Sequence, residues 1–146
     1  MSVEQVARDL ITNMTDSKKV LGMLTVDAMA SGGVLPQTMP AREAFNLITS
    51  NLNSAFPDLK FEVQQVMVNG DQATVKANIS GAQTGTLDLA MPGMSSIPPT
   101  GKKAWAKDAY IVTVQGDKVS HFHVDSPADG GIPAMLAQLG VKMPAM

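Results

Sequence analysis

The apolar residues of this chain change period once, and that change decides what it can fold into. Up to residue 55 they recur at helical spacing. Val3, Val6, Ala7, Leu10, Ile11 and Met14 share one face. Ser2 is placed to cap that helix, with Gln5 at the capping-box position. A second short helix is predicted from Thr15-Asp16, burying Val20, Leu21 and Leu24. "MASGGVLPQTMP" interrupts the pattern. Pro40 then suits the first turn of a third helix, which shows Ala41, Phe45, Ile48, Leu52 and Ala55 on one face before Pro57 ends it.

From residue 61 the period is two. Phe61 and Val63 alternate, then Val66 and Val68 on the shifted phase, so a β-bulge is predicted at Gln64-Gln65. Asn69-Gly70 signals a hairpin. Ala73, Val75, Ala77 and Ile79 alternate with polar residues. Further strands are expected over Thr86 to Met91, Lys103 to Gln115 and Lys118 to Asp125, the last two joined at Gly116-Asp117. A short terminal helix from Pro133 would bury Ile132, Met135, Leu136 and Leu139, with Gly140 closing it. Three helices, a run of mostly antiparallel strands and a small helix make an α+β fold, with helices covering one face of a curved sheet.

The 146 residues suit one domain, and 45% hydrophobic content supplies a core. With no cysteine, disulfides and thiolate metal sites are excluded. A net charge of −2 without a basic stripe argues against nucleic acid as a partner. No apolar run reaches the roughly 20 residues of a membrane span, and "MSVEQVARDL" does not read as a secretory signal. A soluble, cytoplasmic protein is expected. Methionine is over-used, with 11 against four Phe, one Tyr and one Trp. It fills irregular space, either in a core or around an apolar cavity.

"PPTGKK" lacks the spacing of a phosphate loop and reads as a rigid turn into a strand. "DGGIP" offers glycine backbone before a helix, without a local basic residue. His121 and His123, two apart, would share a strand face with Val119 and Asp125. A metal there would need ligands from distant segments, so none is expected. An imidazole and a carboxylate in a partly apolar pocket suit acid/base chemistry instead. On the Lys103 to Gln115 strand, Asp108 sits among Ala104, Ala106, Tyr110, Val112 and Val114 on one face. A carboxylate in such company is costly to bury unless paired or protonated, which makes Asp108 and Tyr110 candidates for a site.

The segment "AREAFNLITSNLNSAFPDLKFEVQQVMVNGDQATVKANISGAQTGTL" resembles the SnoaL-like polyketide cyclases of the nuclear transport factor 2-like superfamily. The likeness continues through "IPPTGKKAWAKDAYIVTVQGDKVSHFHVD" and "LAQLGV". It implies a cone, a strongly curved sheet closed by N-terminal helices around an apolar pocket. Family enzymes include ring-closing aldol cyclases that work by acid/base chemistry with no cofactor. An aspartate at the end of the last strand is the family's acid/base candidate and matches Asp125, with His123 before it. Many members carry Gly-Thr-His-x-Gly where this chain reads "GAQTG", so Gln83 stands in place of the histidine. "SPADGGIPAM" is longer than the usual run into the terminal helix.

These readings converge on a cofactor-independent enzyme acting on a small hydrophobic carbonyl compound. Asp125 would be the acid/base, with His123 and Asp108 assisting. Tyr110, His121, Gln83, Met91, Met94 and Ile97 would line the pocket. Met91 to Lys102 would form an apolar loop at the rim, as a lid or an interface. A homodimer is expected from the resemblance and from Trp105 and Ile111 opposite Asp108. A non-catalytic binding protein of the same fold, and an assembly protein with a filled core, remain as alternatives.

Overall fold

A computed structural model describes residues 2–32, 37–87, 96–127 and 130–140. Helix α1 (Val3–Thr12) starts where Ser2 accepts a hydrogen bond from the Gln5 N–H at 3.1 Å, and buries Val6, Ala7, Leu10 and Ile11 completely. Helix α2 (Ser17–Gly22) is capped by Asp16, which accepts from the Lys19 N–H. Leu24, expected in this helix, instead opens strand β1 (Leu24–Gly32). Strand β2 (Met39–Pro40) is short and leads into α3 (Ala41–Ala55). That helix buries Ala41, Ala44, Phe45, Leu52 and Ala55. The side chains of Ile48 and Ile132 lie outside the described set.

The strands β3 (Lys60–Asn69), β4 (Gln72–Ala82), β5 (Lys103–Gln115) and β6 (Lys118–Val124) follow, then helix α4 (Gly131–Gln138). Together they give one curved six-stranded sheet in the order β2-β1-β6-β5-β4-β3. Only β1 and β6 run parallel. The bulge in β3 is where the change of phase put it: Val63 faces Ala77 and Gln65 faces Lys76, leaving Gln64 extra. Of the strand expected over Thr86 to Met91, residues 88–91 lie outside the described residues, and Leu87 forms a bridge with Ile97.

The inner face carries the alternating apolar rows: Ala73, Val75, Ala77 and Ile79 from β4, and Ala104, Ala106, Tyr110, Val112 and Val114 from β5. α1 packs on β3 and β4, and α3 on β1. Phe122 of β6 links the layers, its ring 5.0 Å from Phe45 and 5.3 Å from Tyr110. β6 ends opposite Tyr110, so the first half of β5 loses that neighbour. Its edge is closed by other groups. Asp125 N–H donates to the Ala109 carbonyl at 2.8 Å, and the Gln138 side chain accepts from Trp105 N–H and donates to Trp105 C=O. An open strand edge is a template for pairing with another chain, and these bonds remove it.

Candidate active site

Asp108 is the one charged residue among the buried side chains described, 5% exposed in the middle of the inner face. Alternation put it there, between Ala106 and Tyr110 and opposite Ala77. Its Oδ1 accepts from Ser126 Oγ at 2.6 Å and from the Ala109 N–H at 2.9 Å. Both bonds fall on the same oxygen. Oδ2 therefore has capacity left for a proton. Burial pushes the carboxyl above its ordinary range, against the lowering effect of those bonds, and the charge of Asp125 adds to the rise.

Tyr110 is the next inward residue, 2% exposed and stacked on Phe122. Its hydroxyl is raised well above the usual phenol range, by burial first and then by the charge of Asp108. The hydroxyl and the Asp108 carboxyl interact, but the hydroxyl makes no hydrogen bond of ordinary length and angle among the described residues. A buried donor of this kind is costly in a core and useful in a site, where a ligand oxygen can accept from it.

A cleft of about 650 Å³ is lined by Ala77, Lys107, Asp108, Asp125, Ser126 and Pro127, among others. Both aspartates line it, while Tyr110 does not. Asp125 itself, expected to look into the interior, is exposed. The strand has already ended at Val124, and the chain turns away at Ser126-Pro127 once the Asp125 N–H has bonded to Ala109.

The two histidines do not join this site. In the β5–β6 register Thr113 faces His121 and Val114 faces Val119, so Ser120 is an extra residue. This bulge puts Val119 and Phe122 inward and turns His121 and His123 to the outer face, opposite Thr113 and Ile111. There both imidazoles hydrogen-bond Ser31. The sequence expectation that they share a face with Val119 fails because the bulge breaks the alternation.

Gln83 is fully buried, and its amide is engaged by the chain itself. Nε2 lies 3.2, 3.2 and 3.1 Å from the carbonyls of Gly85, Ile97 and Pro98, and Oε1 accepts from the N–H and hydroxyl of Thr100. It holds the base of the loop rather than offering groups to a substrate. Ile97 is buried in the core beside it. Met91 and Met94 lie outside the described residues. Ser126 was missed by sequence reasoning, since a serine before a proline reads only as a turn. Ser31 was missed because its segment reads as a break. Among the described residues, no group of three or more His, Cys, Asp or Glu is placed to hold a metal, and no helix is long and apolar enough to cross a membrane.

A family model described as SnoaL-like polyketide cyclase matches residues 5–124. Comparison with curated proteins finds no significant match. Among solved structures the chain is similar to AclR of Streptomyces galilaeus, a proposed hydroxylase, at 17% identity and TM-score 0.74, over 98% of this chain and 87% of that one. It is similar to IdmH of Streptomyces antibioticus, a proposed polyketide cyclase, at 18% identity and TM-score 0.73, over 97% and 100%. A proposed SnoaL-like polyketide cyclase of a Jannaschia species follows at 19% identity and TM-score 0.70, over 97% and 96%. These likenesses show the fold.

Proposed function

The chain belongs to the SnoaL-like polyketide cyclase family, and we propose that it is a cofactor-independent enzyme of the cyclase or isomerase type, moving protons on a small hydrophobic carbonyl compound. The observation that carries this reading is the buried pair of Asp108 and Tyr110 on the inner face. In its ionised form Asp108 takes the proton from the carbon next to the carbonyl through Oδ2. Tyr110 donates a hydrogen bond to the carbonyl oxygen as it gains enolate charge. A carboxyl raised by burial holds the abstracted proton more firmly than an exposed one, which brings it closer to the match that carbon acids need. Ser126 and the Ala109 N–H fix the carboxyl plane so that Oδ2 is presented in one direction. Return of the proton at another carbon gives isomerisation; attack of the enolate on a second carbonyl of the same molecule gives ring closure.

The first step alone is measurable without knowing the natural substrate. In D2O the protein is expected to catalyse deuterium exchange at the α-carbon of small aromatic ketones or β-keto esters, followed by NMR. Binding of such ketones with exchange no faster than in buffer alone would overturn the catalytic reading and leave a protein that only binds them.

A further inference from the structure

We propose that Ser31, His121 and His123 form a binding site for a divalent transition cation of the zinc type, on the outer face of the sheet and separate from the Asp108 site. Parallel pairing of β1 with β6 sets Met29 against His121 and Ser31 against His123. The residues between them, Ala30 and Phe122, are buried inward, so all three site residues project outward. Ser31 Oγ lies 3.0 Å from His121 Nε2 and 2.8 Å from His123 Nδ1. Two ring nitrogens from one strand thus converge on a single point, supplied by the neighbouring strand.

A single hydroxyl cannot satisfy both rings in the same way. It has one proton to donate, so when one nitrogen accepts it the other must donate to the oxygen. A cation seated beside that oxygen, between the two rings, takes a lone pair from each ring at once. Each neutral imidazole can carry its proton on the nitrogen that faces away, and modest side-chain rotation brings the facing nitrogens to the roughly 2.1 Å of a zinc–imidazole bond. The serine oxygen is a third donor, and water can complete a tetrahedron. Imidazole ligands select zinc, copper or nickel over magnesium, which prefers oxygen.

Gly32 shows that the site is held in place. Its backbone has φ +82°, and a Cβ there would lie 2.8 Å from His123 Cε1 and 2.3 Å from the Val124 carbonyl. The His123 ring therefore rests against bare backbone, which leaves less freedom to lose on binding. The spacing of the histidines alone argued against a metal for want of a nearby third ligand. The fold brings one from β1.

The experiment uses tag-free, full-length protein. Zn2+ titrated calorimetrically is expected to bind with one site per chain, and Mg2+ not to bind there. His121→Ala and His123→Ala should each weaken Zn2+ by tenfold or more, while Ser31→Cys should tighten it by tenfold or more, because a thiolate is the better zinc ligand. The chain has only two histidines, so a measurement on the unaltered protein is also decisive. Both sets of imidazole proton signals should shift together, saturating at one equivalent of Zn2+. No Zn2+ heat at millimolar metal, a shift in only one ring, binding retained in either alanine variant, or unchanged affinity in Ser31→Cys would each overturn the site.

Discussion

Asp108→Asn should lower α-proton exchange by about 10²–10⁴-fold, the usual contribution of a general base, while leaving the fold intact. Asparagine keeps Oδ1, so the bonds from Ser126 and the Ala109 N–H survive. What it removes is the basic oxygen. Tyr110→Phe should cost rate through a different route, loss of the donor to the developing oxyanion, and should move the ionisation of the base to higher pH, because the hydroxyl lowers the Asp108 carboxyl. If Asp108→Asn exchanged ketone protons as fast as the unaltered protein, the assignment of Asp108 would be wrong, and Asp125 across the cleft wall would be the next carboxylate to substitute.

The same variant carries a stability signature whose sign follows from the raised pKa of Asp108. A carboxyl that holds its proton more tightly in the folded protein than in the unfolded chain favours folding at pH values below its unfolded pKa. That advantage fades as pH rises through the folded pKa, when a charge must form in a buried place. Asparagine never ionises. The melting temperature of Asp108→Asn, relative to the unaltered protein, should therefore rise as pH increases from about 3.5 toward neutrality. A difference that stays flat over this range would mean that Asp108 is as well solvated folded as unfolded. Keeping a costly carboxylate in the interior at neutral pH makes structural sense only if that group is used.

Asp108 was legible because period-two alternation is a strict rule: a charged residue in phase with Ala104, Ala106, Val112 and Val114 must face the core. The same rule misled at His121 and His123. One extra residue, Ser120, resets the phase of β6, and its marker went unread: the inward-facing Val119 and Phe122 are three apart, as Val63 and Val66 are at the bulge of β3. β1 was illegible for a related reason. Its register against β6 jumps between Leu24 and Met29, Val26 is left 92% exposed, and its small residues do not alternate. Its strand character comes from pairing with β6, a contact between segments far apart in sequence. Ser126 joins Asp108 only because β6 stops at Val124, two residues short of it, which no local pattern announces.

Gln83 holds the largest concentration of polar contacts of any side chain described, and Gln83→Ala should cost about 3 kcal/mol of stability, lowering Tm by roughly 6–12 °C. The amide is completely buried. Its removal strands the Thr100 N–H and hydroxyl on one side and the carbonyls of Gly85, Ile97 and Pro98 on the other. Water does not reach the interior to replace it without opening the loop base, where Gln83 N–H and C=O also bond Lys102 and Gly101. Gln83→Leu separates the two components of the loss. Leucine fills most of the volume but makes no hydrogen bond, so it should lose nearly as much as alanine if the polar network is what holds residues 97–101 in place. A leucine variant that melts with the unaltered protein would show instead that the cost is a cavity, and that these backbone groups find other partners. Because the loop base lies apart from Asp108, neither variant should change the pH at which exchange activity rises, provided it is measured below the lowered melting temperature.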